Sequence, residues 1–334
     1  MTKIAINGFG RIGRMALRSI IENNLPLDVV AINDITDNET LAHLFAFDST
    51  FGQFSGEVTS DEHSITINGK KMAAFAERNP EELPWGELEV DIVLECTGVF
   101  RTREGMEKHI TAGAKRVLLS APAKSDIDAT FVMGVNHTAY NPETDILISN
   151  ASCTTNCLAP VAKVLDETFG IEKGLMTTIH SYTGDQRLLD APHRDLRRAR
   201  SAAESMVPTT TGAAKAVGLV LPQLAGKLNG FAVRVPTPNV SLVDVTVELA
   251  KTASAEEINA ALQNAAEGEM KGILGFEARP LVSRDFLKNQ NSSIVDGMST
   301  LTIGNMAKVV AWYDNEWGYA SRLVDLAVYI SQNK

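Results

Sequence analysis

The feature that most constrains this chain is a strand that ends in a glycine turn. Residues 3–7 read as a short buried strand and run without a break into Gly8-Phe9-Gly10-Arg11-Ile12-Gly13, a G-x-G-x-x-G sequence that begins at Gly8 directly after Asn7. Beyond it Ile12, Met15, Ala16 and Ile20 recur at helical spacing, and residues 27–32 form a second apolar run closed by Asn33-Asp34. Strand, glycine turn, helix, strand and terminal acid in this order make a mononucleotide-binding βαβ unit. Gly8 permits the tight turn, Gly10 lets the backbone approach a pyrophosphate, Gly13 allows close packing of helix on sheet, and the helix start receives the phosphates. Asp34, 21 residues after Gly13, stands where a carboxylate accepts hydrogen bonds from a ribose 2′-hydroxyl and repels a 2′-phosphate. The expected cofactor is therefore NAD rather than NADP. The competing role for Asp34 is that of a turn residue ahead of a helix capped by Thr36 and Glu39.

The rest of the first half keeps the same rhythm. Residues 91–96 are apolar and close on Thr97-Gly98, residues 103–112 look helical, and residues 116–120 form another short strand. Such alternation implies a parallel sheet with helices on its faces. Ligands of these sheets bind beyond the carboxyl ends of the strands, which makes Thr97 and Ser120 candidates for the cofactor cleft. Residues 57–76 read as a polar meander of short strands. Composition sets the outer bounds. A length of 334 residues fits two domains, and a net charge of −10 argues against non-specific binding to nucleic acid or an anionic membrane. No apolar run approaches the ~20 residues of a membrane-spanning helix, and no secretory pattern opens the sequence. Three irregularly spaced cysteines make no disulfide framework and suit a reducing cytosol. A cytoplasmic protein is expected, with Cys96 and Cys157 structural and no metal site.

A second junction carries the chemistry. Residues 146–148 end a buried strand, and after Ser149-Asn150-Ala151-Ser152-Cys153-Thr154-Thr155-Asn156-Cys157 the apolar residues Leu158, Val161, Ala162, Leu165 and Phe169 recur at spacings of three and four. Cys153 is thereby placed near a helix N-terminus, where unpaired N–H groups and the macrodipole favour a thiolate. The flanking Ser152, Thr154, Thr155 and Asn156 are poor core residues and favour a site over a buried thiol. Residues 175–179 form the next strand and end at His180, 27 residues after Cys153. Strand, helix and strand in succession bring a helix start and a strand end to one edge of a sheet, so His180 is the expected base for Cys153. The other five histidines have no comparable placement.

Residues 181–204 form a long polar stretch with Arg187, Arg194, Arg197, Arg198 and Arg200, a loop length that is usually functional and a side chain suited to phosphate. Thr211-Gly212 opens another helix at Ala213 and makes a second anion cradle. Residues 231–235 alternate as a strand with Arg234 opposite the face of Phe231, Val233 and Val235. Strands over 240–249 and 308–313, a helix capped by Ser254 and Glu257, and a terminal helix over 316–330 complete an α+β half built on a larger sheet.

Several of these stretches resemble phosphorylating glyceraldehyde-3-phosphate dehydrogenases over essentially the whole chain. The matching motifs are Ile6-Asn7-Gly8-Phe9-Gly10-Arg11-Ile12-Gly13, the Ser149 to Asn156 segment, His180-Ser181-Tyr182-Thr183, Thr211-Gly212-Ala213-Ala214-Lys215-Ala216, Arg234-Val235-Pro236-Thr237 and Trp312-Tyr313-Asp314-Asn315-Glu316-Trp317. The resemblance implies an α/β protein with a Rossmann-type, parallel-sheet NAD-binding domain (1–150 plus 316–334) and an α+β catalytic domain (151–315) with a large mixed or antiparallel sheet. It implies a homotetramer acting on glyceraldehyde 3-phosphate and inorganic phosphate, with Cys153 as nucleophile and His180 as base. Thr183 and Arg234 would hold the substrate phosphate. Ser152, Thr154, Thr211, Gly212 and Arg198, or Arg197 beside it, would serve the phosphate sites. Asn7, Gly8, Gly10, Arg11, Ile12, Gly13, Asp34, Arg78, Thr97, Ser120 and Asn315 would contact NAD. The alternatives are an erythrose-4-phosphate dehydrogenase that deacylates by hydrolysis, a Cys/His hydrolase or acyltransferase, and a non-enzymatic NAD-binding regulator.

Overall fold

The computed structural model describes residues 1–333, and the chain divides into two compact units. One holds Met1–Phe131, Thr138–Ala151 and the residues from Ala320 on; the other holds Val132–His137 and Ser152–Tyr319.

In the first unit, β1 (Thr2–Asn7), α1 (Arg11–Glu22) and β2 (Leu27–Asn33) form the expected βαβ start. They are followed by α2 (Asn38–Ala46), β3 (Val58–Asp61), β4 (Ser64–Ile67), β5 (Lys70–Phe75), β6 (Ile92–Glu95), α3 (Arg103–Thr111), β7 (Arg116–Leu119), β8 (Ala129–Thr130) and β9 (Leu147–Ser149). The nine strands lie in the order β3-β4-β5-β2-β1-β6-β7-β9-β8. The pairs from β5 to β8 along this order are parallel, and only the meander of β3, β4 and β5 is antiparallel. Ala5, Ala31, Trp85 and Val93 pack one apolar cluster, and Met106, Val117, Leu119 and Leu147 another. The sheet is thus sealed by helices and loops, as parallel sheets require.

The cap of α2 differs from the one expected. Asp37 takes the N-cap position and its Oδ1 accepts from the Thr40 N–H at 2.8 Å, while the Thr36 N–H is bound by Asp34 Oδ1 at 3.0 Å. Only a side chain directly before the first helical residue reaches the orphan N–H groups, and the turn made by Asp34 leaves Thr36 one step short.

The second unit begins with α4 (Cys153–Phe169) and β10 (Ile171–Ser181), then β11 (Val207–Thr210), α5 (Ala213–Val220), β12 (Leu228–Val235), β13 (Ser241–Leu249), α6 (Ala255–Glu267), β14 (Leu274–Glu277), β15 (Ser293–Asp296), β16 (Leu301–Ile303) and β17 (Met306–Tyr313). The last helix, α7 (Trp317–Gln332), starts in this unit and from Ala320 on belongs to the first. The mixed sheet runs β11-β12-β10-β13-β17-β15-β14, with β16 beside β17. The capping box of Ser254 and Glu257 opens α6 as expected. β11 was not foreseen. It contains Pro208, which removes a ladder donor, and it lies at the sheet edge where that loss is tolerated. Residues 182–206 carry neither helix nor strand. Among the described residues no helix is long and apolar enough to cross a membrane.

The turn after β1 is a very close backbone approach. Gly8 has φ 90°, and a Cβ built on it would lie 2.6 Å from the Thr97 amide nitrogen. Gly8→Ala is therefore expected to cost about 1–3 kcal/mol for the left-handed backbone alone, read as a lower urea midpoint at fixed protein concentration.

Candidate active site

In the first unit, the carboxyl ends of β1, β2 and β6 open into a cavity of about 330 Å³ lined by Asn7, Gly8, Gly10, Asp34, Arg78 and Thr97, among others. Its shape depends on two absent side chains. A Cβ on Gly13 would run into the Gly8 carbonyl oxygen, whereas one on Gly10 would meet nothing within 4 Å and project into the space a ligand needs. Gly10 is also the N-cap of α1 and offers no side chain to its first N–H groups. These features fit a dinucleotide phosphate at the helix start. Asp34 lies on the wall, its oxygens accepting from the Phe9 N–H at 2.8 Å and the Thr36 N–H at 3.0 Å. It is both the turn residue and a cavity carboxylate, and the two roles coexist because each oxygen has a second lone pair. Arg11 turns away to an ion pair with Asp48 and lies over Phe51, so its side chain is not on the cavity wall. Ile12 and Ser120 are also outside the lining, whereas Cys96 sits on it, with burial pushing its thiol up to about 12.

In the second unit, Cys153 is the first residue of α4, and Ser152 caps it by accepting the Thr155 N–H at 3.0 Å. The preceding Ala151 holds φ 55°, a strained left-handed turn for a residue with a side chain. Cys153 Sγ lies 3.5 Å from His180 Nε2. His180, at the end of β10, packs edge-on against Tyr313, whose hydroxyl bonds Thr154 Oγ1 at 2.8 Å and Thr178 Oγ1 at 2.9 Å. Thr154 is thus buried beside Tyr313.

Burial pushes the Cys153 thiol up, against the Arg234 charge and hydrogen bonds from Thr154. Desolvation thus outweighs the Arg234 charge and the hydrogen bonds at the helix start. Burial, then the Arg234 charge, brings His180 down to about 3 despite its bond to the Ser181 carbonyl. That keeps the imidazole neutral at physiological pH. Nδ1 lies 2.7 Å from Ser181 O and 2.8 Å from Arg234 Nη1, an acceptor and a donor. When Nδ1–H donates to Ser181 O, the lone pair of Nε2 faces the thiol.

Arg234 Nη1 also reaches Ser181 O at 3.1 Å and Thr183 Oγ1 at 3.3 Å, and its Nε is buried with no hydrogen-bond partner. Nearby, Asp185 accepts from Thr183 Oγ1 and from Arg198 Nη1, so one carboxylate bridges both expected anion-binding residues. Burial raises the pKa of Asp185, but the Thr183 bond and the charges of Arg234 and Arg198 outweigh it and hold it low. Arg198 Nε donates to Thr209 Oγ1 at 2.9 Å and Nη2 to Thr210 O at 3.3 Å, beside the Thr211-Gly212 start of α5. Arg197 reaches Pro208 O at 3.4 Å, at the outer side of the loop. Thr211 Oγ1 accepts the Ala213 N–H at 3.2 Å, and Gly212 has open space where a side chain would stand. Asn315 is buried, with Oδ1 accepting from Ser241 Oγ at 2.8 Å, and Ser241 Oγ in turn accepts the Ser181 N–H at 3.1 Å.

Comparison with known proteins agrees with this layout. Residues 2–103 match the NAD binding domain of glyceraldehyde 3-phosphate dehydrogenase, and residues 152–315 match its C-terminal domain. The glyceraldehyde-3-phosphate dehydrogenase of Geobacillus stearothermophilus is 60% identical over 98% of both chains. Glyceraldehyde-3-phosphate dehydrogenase 1 of Bacillus cereus is 58% identical over 99% of both, and the second such enzyme of Nostoc sp. is 57% identical over 99% of both. The chain belongs to the glyceraldehyde-3-phosphate dehydrogenase family.

Within this glyceraldehyde-3-phosphate dehydrogenase fold, sequence reasoning missed Asp185, Ser241 and the position of Tyr313. Asp185 sits in a polar turn without periodicity, and Ser241 and Tyr313 lie in strands where a serine or tyrosine reads as packing. His180→Asn is expected to slow alkylation of Cys153 at neutral pH by about tenfold or more, a barrier increase of ~1.4 kcal/mol, because no neighbouring lone pair is left to take the thiol proton. The rate is measured by iodoacetamide labelling.

Proposed function

We propose that the chain oxidises glyceraldehyde 3-phosphate to 1,3-bisphosphoglycerate with NAD and inorganic phosphate, in glycolysis, with Cys153 as the nucleophile. The observation that carries this assignment is the 3.5 Å contact between Cys153 Sγ and His180 Nε2 at the start of α4. His180 takes the thiol proton as Sγ adds to the aldehyde carbon, and returns it to the resulting oxyanion. The product of that addition is a thiohemiacetal on Cys153. N–H groups at the helix start stabilise the oxyanion. His180 then removes the hydroxyl proton as the carbon–hydrogen bond breaks, leaving a thioester. NAD, when bound, supplies the hydride acceptor. A phosphate oxygen attacks the thioester carbonyl, Cys153 leaves as thiolate, and the acyl phosphate is released. The covalent route conserves the oxidation energy in the thioester.

Arg234 and Thr183 are assigned to the substrate phosphate, supported by the unpartnered Arg234 Nε. Ser152, Thr211, Gly212 and Arg198 are assigned to inorganic phosphate, with Asp185 holding Thr183 and Arg198 in place. Asn315 is assigned to the nicotinamide carboxamide, since Ser241 fixes its Oδ1 and leaves the amide N–H₂ to donate. In the first unit Asn7, Gly8, Gly10, Gly13, Asp34, Arg78 and Thr97 serve the cofactor, and the backbone of Arg11 and Ile12 replaces their side chains at the phosphates. The domain assignment is 1–150 plus 316–334 for NAD and 151–315 for catalysis.

A homotetramer in the cytoplasm completes the proposal. Three free cysteines suit a reducing compartment. Leu175 and Phe231, on adjacent strands β10 and β12, are 69% and 48% exposed, and such apolar sheet surface calls for a partner.

NADH absorbance with glyceraldehyde 3-phosphate tests the reaction: sustained formation should require phosphate, and turnover without it would indicate hydrolysis. Cys153→Ser is expected to abolish NADH formation with NAD binding intact. Asp34→Gly is expected to raise the NADP-to-NAD ratio of kcat/KM by about tenfold or more, a charge effect of ~1.4 kcal/mol or more.

A further inference from the structure

The cofactor cavity rests on a buried carboxylate that the reaction does not use. Glu95, at the end of β6, is fully buried and absent from the cavity lining. Its Oε1 accepts from the Thr97 N–H at 2.9 Å and from the Thr97 hydroxyl. Its Oε2 accepts from Asn7 Nδ2 at 2.5 Å and lies 3.1 Å from His109 Nε2. His109 is equally buried, and its other nitrogen, Nδ1, lies 3.0 Å from the indole N–H of Trp85. An indole can only donate, so Nδ1 must be the acceptor and Nε2 must carry the proton. Trp85 thus fixes His109 as the neutral tautomer that donates to Glu95.

The bonds continue from Asn7 to neighbouring strands. Asn7 Oδ1 accepts from Asn33 Nδ2 at 2.7 Å, and Asn33 exchanges bonds with the Glu77 backbone, donating at 2.9 Å and accepting at 2.8 Å. One network therefore ties together the carboxyl ends of β1, β2 and β6 and the segment after β5. Asn7, Asn33, Glu77 and Thr97 all line the cavity. Thr97 is also the residue whose amide lies where a Cβ on Gly8 would go.

Resting on the assignment of this cavity to NAD, we propose that Glu95, with its tautomer-locked partner His109, is a positioning residue for the cofactor. It sets the spacing between the Gly8 turn and Thr97, and it fixes which end of the Asn7 amide faces the ligand. A buried carboxylate costs far more than an apolar side chain unless its lone pairs are filled. Here each oxygen accepts two hydrogen bonds, and two of the donor residues belong to the cavity wall. An apolar residue would fill the same space without holding those groups.

The test is calorimetric titration of NAD into the full-length enzyme carrying Glu95→Gln, His109→Leu or His109→Gln. Melting temperature, KM for NAD, kcat and Cys153 alkylation are measured on each. The Glu95→Gln change presents an N–H₂ group to donors on one side, and His109→Leu removes a donor. Both variants should weaken NAD binding at least tenfold and raise KM for NAD in step, with kcat at saturating NAD and Cys153 alkylation within twofold of the unaltered enzyme. His109→Gln keeps an N–H₂ toward Glu95 and an acceptor toward Trp85. It should bind NAD within threefold of the unaltered enzyme although the change of shape lowers its melting temperature below that of the unaltered enzyme. NAD affinity that simply follows melting temperature across the series, or a Glu95→Gln enzyme that binds NAD normally, overturns the positioning role. Failure of the unaltered enzyme to bind NAD would overturn the cofactor assignment as well.

Discussion

A thiol at the start of a buried helix stays a thiol unless a neighbour takes its proton. In this chain burial raises the Cys153 pKa more than the helix start lowers it. The site therefore depends on one register: β10 beside β12, parallel, with His180 opposite Arg234. That pairing puts the imidazole against Sγ on one side and a guanidinium against it on the other. A one-residue slip would turn His180 to the opposite face of the sheet. Tyr313, anchored from β17 by Thr154 and Thr178, holds the ring at its remaining edge.

The same economy of placement governs both units. In each, a helix beside the candidate site starts beyond a strand, and its first N–H groups are left open by a glycine or covered by a hydroxyl. Gly10 opens α1, Ser152 caps α4 and Gly212 opens α5. Around these starts the polar side chains are held by other polar side chains. Ser241 fixes Asn315, Asp185 joins Thr183 to Arg198, and Glu95 joins Asn7 to Thr97. Buried polar groups of this kind are stable only when their bonds are made, and once made they leave little freedom in where each group points.

Local signals in the sequence were sufficient for the βαβ start, the α6 capping box and the Cys153 helix, because each is specified within one or two turns of chain. The pairing of Cys153 with His180 was also legible, since a strand, helix and strand in succession leave few ways to bring their ends together. What could not be read depends on contacts distant in sequence. Asp37 displaces Thr36 as the α2 cap because Asp34 holds the Thr36 N–H, which follows from how the turn closes. Thr154 faces Tyr313, 159 positions away, so its burial is invisible from its polar neighbours. Arg11 carries the motif, yet its side chain is taken by Asp48. His109 gave no sign of its role because Glu95 and Trp85 lie on other elements.

The proposed reaction holds the oxidised substrate as a thioester on Cys153 until phosphate removes it. Mass spectrometry of enzyme mixed with glyceraldehyde 3-phosphate and NAD, quenched in acid without phosphate, reads that intermediate. A 3-phosphoglyceroyl adduct is expected on the peptide containing Cys153, and it should disappear when phosphate is added before the quench. An adduct on another residue, or NADH formed at steady turnover with no adduct and no need for phosphate, would contradict it.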